Sequence, residues 1–289
     1  MKRGISDTSH WGKDDAQHYE VAKHGPDGRV FLDPYLYQML LPEHLAGATV
    51  ADLGCGTGPW SQHVIKQGAS EVIGVDLNQA MLDQAREKMI PNATFGQQDV
   101  AKLNLDDDKF DRILSINVGC NLPSESFEKH FEEAHRIAKP GGRMIVTAPD
   151  SLLVPFTDGE QTEDIQEELN RLLAEKNGDV KAAIGALRHV LRATFVVDEN
   201  GKNPTLVTDE NKHLVKPGKP MIRRIPGLVV PNNFHTANEY ISAAAFAGWE
   251  VRQLVQAAFR CEKERVACEE KLGTEYMDNS PFLIMELEK

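Results

Sequence analysis

Residues 49–60, read as Thr-Val-Ala-Asp-Leu-Gly-Cys-Gly-Thr-Gly-Pro-Trp, restrict the folds open to this chain more than any other stretch. A short apolar run ends in Asp52-Leu53. Gly54, Gly56 and Gly58 then alternate, and Pro59-Trp60 stands where a helix would begin. Glycines allow φ > 0 and a close approach of ligand to backbone. The first turn of a helix adds unpaired N–H groups that suit an anion or an acceptor oxygen. A strand–turn–helix unit of this kind belongs in a parallel sheet covered by helices. The turn is not the dinucleotide fingerprint G-x-G-x-x-G. Pro59 stands where a count from Gly54 needs glycine, and Ser61 where a count from Gly56 needs it.

Three further pieces follow in order. Glu71 to Val75 is an apolar strand ending in Asp76, 18 residues past Gly58. That offset is close to that of the ribose-binding acid in strand–helix–strand nucleotide sites, where a carboxylate accepts from vicinal hydroxyls. Asn78 can cap the next helix equally well, so Asp76 is not required for that purpose. Ala93-Thr94-Phe95-Gly96 leads to Asp99-Val100, and Lys139-Pro140-Gly141-Gly142 precedes an apolar run from Met144. Strands are predicted near 49–53, 71–75, 93–96, 111–116 and 143–148, with helices near 60–67, 78–89 and 124–138. Ser124 reads as the N-cap of the third helix. Phe127, Phe131, Ala134 and Ile137 are its buried stripe, and His130 and His135 lie on its surface or boundary.

These pieces resemble the class I, Rossmann-like S-adenosylmethionine (SAM)-dependent methyltransferases, small-molecule type. The shared features are D-x-G-x-G-x-G, an acid ending the second strand, an acid after the third, and K-P-G-G before the fifth. The resemblance implies an α/β fold: a doubly wound, mostly parallel seven-stranded sheet whose last strand, near Pro281–Leu287, is antiparallel. It implies SAM as cofactor and S-adenosylhomocysteine as product, with no metal. Cofactor contacts fall on Asp52, Gly54, Cys55, Gly56, Gly58, Asp76, Leu77, Met81, Asp99, Val100, Asn117 and Tyr19, with Asp99 accepting from the adenine amino group. Asn117 ends the fourth strand, where ligands bind in open α/β sheets. Asn117-Val118-Gly119-Cys120 lacks the prolines and aromatic of the [N/D]-P-P-[Y/F] signature, which counts against a nucleobase amino group as acceptor.

Outside the core, 1–44 reads as an N-terminal helical lid, with a helix start at Asp33-Pro34. Trp11 and His18 there are substrate-facing candidates, and Tyr19 is a candidate for cofactor and catalysis. The core is assigned to 45–150, an inserted α+β region of substrate recognition to 151–235, and completion of the sheet to 236–289. In the insert, Ile165, Leu169, Leu172 and Leu173 form one helical face, and Ile184, Leu187, Val190 and Leu191 another. Strand patterns follow at 194–197, 206–208 and 221–225, the last carrying Arg223 and Arg224, which suit a carboxylate or phosphate. Thr236-Ala237-Asn238-Glu239 fits a capping box, and Gly248 a helix C′ position. His235 just before it is a candidate base at the pocket mouth.

Net charge is −12. That argues against a general nucleic-acid binder, which needs a basic face. Cys55, Cys120, Cys261 and Cys268 form no C-x-x-C pair, so reduced thiols are expected rather than zinc or a disulfide framework. No apolar run reaches the roughly 20 residues of a membrane span, and no secretory pattern stands at Met1. The expectation is a cytoplasmic enzyme, monomer or homodimer, that methylates N, O or C of a small metabolite. The alternatives are a methyltransferase of RNA or protein, and a silent SAM-binding scaffold.

Overall fold

The computed structural model describes residues 12, 16, 33–149, 162–187, 193–208, 211–216, 219–225, 228–233, 235–256 and 282–289. Five parallel strands make the first part of the main sheet: β1 (Thr49–Leu53), β2 (Glu71–Asp76), β3 (Ala93–Gln97), β4 (Phe110–Ile116) and β5 (Ala138–Pro149). Later come β10 (Glu250–Gln256) and β11 (Phe282–Glu288), in the order β3-β2-β1-β4-β5-β11-β10. β11 runs antiparallel to both of its neighbours. The seven-stranded sheet with one reversed strand is therefore the architecture the resemblance implied. Among the described residues no helix is long and apolar enough to cross a membrane.

Alternation along each strand divides the core. Ala51, Leu53, Ile113, Met144, Val146, Met285 and Leu287 face one side. There α5 (Ser124–Ile137) and α8 (Ala237–Phe246) bury Phe127, Phe131, Ile137, Tyr240 and Ala244 against them. Val50, Val72, Leu114, Ile145 and Ile284 face the other side. They meet α3 (Pro59–Lys66) through Trp60 and Val64, and α1 (Asp33–Met39) through Leu36, with Leu40 just beyond it. Between these helices lie α2 (Pro42–Leu45) and α4 (Gln79–Glu87).

Between β5 and α8 a second sheet has its own core. It contains β6 (Ala193–Val196), β7 (Thr205–Leu206), β8 (Pro220–Ile225) and β9 (Leu228–Asn233), in the order β7-β6-β8-β9 and antiparallel throughout. Helices α6 (Thr162–Glu175) and α7 (Val180–Ala186) cover it with Ile165, Leu169, Leu172 and Ile184 against Phe195, Leu206 and Ile222. β9 packs on the 3₁₀ turn Gly119–Asn121 that follows β4. The second sheet therefore abuts the carboxyl edge of the first.

Three local readings change. Pro123, not Ser124, occupies the N-cap of α5, and no side chain caps that helix. β5 begins before Lys139-Pro140-Gly141-Gly142, which is absorbed as an irregularity between the pairs Phe110–Ala138 and Arg112–Arg143. β9 was not foreseen. The capping box at Thr236 is present in full, and Gly248 takes φ +97° at the C-terminal end of the helix. Val190 and Leu191 lie outside the described residues.

Candidate active site

The glycine turn sits at the carboxyl end of β1, with the ends of β2 and β4 on either side. Gly54, Gly56 and Gly58 have φ of +66°, +54° and +77°, which L side chains adopt only under strain. The three glycines differ in surroundings. A Cβ on Gly54 would stand 2.6 Å from Val118 Cγ2, and one on Gly58 3.2 Å from the Phe95 ring. A Cβ on Gly56 would meet nothing within 4 Å, so the middle of the turn faces open space. The Cys55 N–H donates to the Val75 carbonyl at 2.9 Å and fastens the turn to β2. The Cys55 thiol is buried and raised well above its usual range by desolvation, with Asp52 and Asp76 adding to the effect. Its contribution is packing and its backbone.

Asp76 links the turn to the next helix. Its Oδ2 accepts from the Gly56 N–H and its Oδ1 from the Asn78 N–H, both at 2.8 Å. Each oxygen retains capacity for another donor. Asn78 caps α4 by accepting from the Met81 N–H at 2.9 Å, so Asp76 is not the cap. Desolvation raises the Asp76 pKa, and the N–H groups of Asn78, Gly56 and Leu77 oppose it. Asp52, 2% exposed, accepts from the Ser61 hydroxyl at 2.6 Å. Burial carries its pKa from the ordinary 3.8 to about 6, against the Ser61 hydrogen bond and with help from the Asp76 charge.

The neighbouring strand ends complete the edge. Leu77, after β2, is 42% exposed although apolar, whereas Met81 is buried beneath it in α4. Asp99 is exposed, accepts from the Ala101 N–H at 2.9 Å, and precedes the buried Val100. Asn117 has φ +59°. Its N–H donates to Thr147 Oγ1 at 3.0 Å, and the Thr147 hydroxyl donates back to Asn117 Oδ1 at 3.2 Å. Asn121 Nδ2 donates to the Asn117 carbonyl at 2.9 Å.

His235 is buried at 5% exposure. Its ring stacks on Phe127 with centroids 3.9 Å apart and planes 11° from parallel. Nε2 lies 2.8 Å from the Leu122 carbonyl, an acceptor only, so Nε2 carries the proton. Desolvation lowers the His235 pKa and keeps the ring neutral. Arg223 and Arg224 lie on β8 opposite Thr194 and Ala193, and their side chains lie outside the described residues. Trp11, His18 and Tyr19 also lie outside them.

The structure therefore brings Asp52, the three glycines, Asp76, Leu77, Asp99, Val100 and Asn117 to one edge of the sheet. Sequence reasoning missed their supports: Ser61, Thr147, Phe95 and His130. His130 is not a surface residue. It is 1% exposed, 2.8 Å from the Ser115 hydroxyl, and desolvation lowers its pKa to about 4. One signal was available. Gly74 lies inside β2, where a Cβ would come within 2.6 Å of Phe95, and a glycine within a strand marks a close neighbour.

Residues 50–142 match the family model described as "Methyltransferase domain". The chain carries a methyltransferase domain there, and its seven-stranded sheet has the class I methyltransferase fold. The methyltransferase domain has curated relatives of known name. The 2-methyl-6-phytyl-1,4-hydroquinone methyltransferase of Synechocystis sp. is 29% identical over 162 residues, covering 53% of this chain and 47% of that protein. A demethylmenaquinone methyltransferase of Lactiplantibacillus plantarum is 34% identical over 135 residues, covering 40% and 53%. The chain spans about half or less of the length of the curated relatives it matches. The fold likeness reaches further. A SAM-dependent methyltransferase structure from Mesorhizobium loti has TM-score 0.61 at 20% identity and covers 91% of this chain and 99% of its own. One from Aquifex aeolicus has TM-score 0.53 at 13% identity, covering 96% and 98%. A fold likeness over nine-tenths of the chain extends well beyond residues 50–142.

The chemistry of the methyltransferase domain's edge fits an adenosyl sulfonium. Asp76 has free acceptor capacity for ribose hydroxyls, and Leu77 offers an apolar surface beside it. The opening over Gly56 admits a chain against the backbone, and Asp52 supplies negative charge beneath it.

Proposed function

We propose that this protein transfers the methyl group of SAM to an N, O or C atom of a small molecule. The observation that carries the reading is the Asp76 carboxylate, fixed by Gly56 and Asn78 beside a glycine turn open at Gly56. When bound, SAM supplies an electrophilic methyl on a sulfonium leaving group. The chain's residues bind, orient and exclude water. Asp76 receives the ribose hydroxyls, Leu77, Met81, Asp99 and Val100 hold the adenine end, and Gly54, Cys55, Gly56 and Gly58 line the amino-acid end. Asn117, locked by Thr147, stands at the acceptor end, and aligning the reacting atoms near 3 Å supplies much of the rate. His235 acts as a positioning residue: its Nε2 proton goes to the Leu122 carbonyl, which fixes the turn after Asn117. Trp11, His18, Tyr19, Arg223 and Arg224 remain candidates for holding the acceptor. The quinol and quinone names of the relatives make apolar ring compounds the first acceptors to try.

Incubation with isotope-labelled SAM and a fractionated metabolite extract tests the reaction. Label in a small-molecule fraction, with equimolar S-adenosylhomocysteine, is the expected result. Label in protein or RNA alone would overturn the small-molecule assignment. Asp76→Ala is expected to weaken S-adenosylhomocysteine binding by about 1–3 kcal/mol, measured by calorimetry. Unchanged affinity in a folded variant removes Asp76 from the site.

A further inference from the structure

The loop from Gln98 to Lys109, between β3 and β4, carries Asp99 and Val100 at its start. Local bonds shape that start: the Ala101 N–H donates to Asp99 Oδ1 and the Lys102 N–H to the Asp99 carbonyl, both at 2.9 Å. The rest of the loop is gripped by α5. This helix presents His130, Glu133 and Arg136 at i, i+3 and i+6, a spacing that sets them in one row. Glu133 Oε2 accepts from the Leu103 N–H at 2.7 Å. Arg136 donates to the Leu103 carbonyl at 3.1 Å, to the Leu105 carbonyl at 2.7 Å, and to the Asp107 carboxylate. The two gripping residues are joined by a double hydrogen bond, Arg136 Nε and Nη2 each 2.9 Å from a Glu133 oxygen. At the head of the row, His130 is anchored on Ser115 of β4. The Val100 carbonyl faces its ring, outside good hydrogen-bond geometry. At the foot, the α5 carbonyls of Arg136 and Ile137 accept from Asp108 and Lys109 at 3.1 and 2.9 Å.

α5 holds the far part of the loop, residues 103–109, while the Gln98 N–H donates to the Asp76 carbonyl at 3.1 Å and Lys289 holds Asp108 at 2.7 Å, so the helix sets the geometry of the stretch between these ties. We propose that Glu133 and Arg136 are positioning residues for adenine recognition: by clamping residues 103–109 to α5 they set where the start of the loop, with Asp99 and Val100, stands. The inference rests on the cofactor reading above, and neither residue needs to touch the ligand. Loosening the clamp leaves the ribose and amino-acid ends, held by β1 and β2, in place. The loss therefore falls on the part of the affinity that depends on the adenine 6-amino group.

The test compares the full chain with Arg136→Met, Arg136→Lys and Glu133→Gln. Dissociation constants are measured for S-adenosylhomocysteine and for S-inosylhomocysteine, which has an oxo group in place of the 6-amino group. The wild type is expected to favour the adenosyl compound. Arg136→Met is expected to cut that preference by about three- to tenfold, mainly by weakening adenosyl binding, and Arg136→Lys to recover part of it. If Arg136→Met does not fold, Glu133→Gln carries the comparison. It keeps an acceptor for the Leu103 N–H but loses the charge opposite Arg136, and is expected to cut the preference about threefold. An unchanged preference in a folded variant, or equal loss for both ligands, overturns the inference while leaving the cofactor reading intact. A wild type that binds neither ligand overturns the cofactor reading, and this inference with it.

Discussion

Asp52 is held in a form that folding alone disfavours. Its pKa rises from 3.8 to about 6 because burial strips the carboxylate of water, and Ser61 returns only part of that solvation. A raised folded-state pKa means that the group's stabilising contribution is complete below 3.8 and is lost as pH rises through 6. Ligand-free Asp52→Asn is therefore expected to melt higher than the wild type at pH 8, with the advantage shrinking toward pH 4. A cationic cofactor reverses the preference by favouring the ionised acid. SAM binding is expected to release a proton near pH 6 and to tighten as pH rises through that range, which calorimetry in buffers of different ionisation enthalpy measures. No proton release would mean that Asp52 does not sense the ligand. Asp52 and Asp76 were legible because each ends an apolar run at a set distance from the glycines. Ser61, Thr147 and His130 were not, because their roles depend on partners 9, 30 and 15 residues away that only the folded sheet brings near.

The start of α8 was legible because a capping box is closed within four residues: the Thr236 hydroxyl accepts from the Glu239 N–H at 3.2 Å, and Glu239 accepts from the Thr236 N–H at 2.7 Å. The start of α5 was misread by one residue. The N-cap is the last extended residue, and Pro123, with φ −65° and ψ 158°, takes that position. β9 was hidden by Pro231, whose missing N–H argues against a strand over Leu228–Asn233. The strand is tolerated because it lies at the edge of its sheet, where a missing N–H costs little. His235 joins this edge strand to α8. His235→Phe keeps a flat ring against Phe127 but removes the donor to Leu122, a loss of about 1 kcal/mol. Turnover is expected to fall severalfold while S-adenosylhomocysteine affinity stays within about twofold. Equal turnover in both proteins would limit His235 to packing.

At the scale of the molecule, the described residues gather into three apolar clusters, two on opposite faces of the seven-stranded sheet and one inside the second sheet. The third shares no buried residue with the others, so damage to it should stay local. Leu169→Ala, at a position with 0% exposure, is expected to cost about 2–5 kcal/mol in that cluster. Hydrogen exchange should rise in α6, α7, β6 and β7 and not in β1 or β4, with cofactor affinity kept and methyl transfer reduced. A single cooperative loss across both sheets would show that the clusters are energetically one. The order of the main sheet has a further consequence. β11 lies between β5 and β10, yet it is the last of the three in the chain. On the ribosome, where the chain emerges from its N-terminus, β5 and β10 therefore wait with unpaired edges until the wedge between them has been translated. Nascent protein thus passes through a stage in which the half that carries the glycine turn can already be folded while strand edges on either side of the gap remain open to chaperones or to a neighbouring chain.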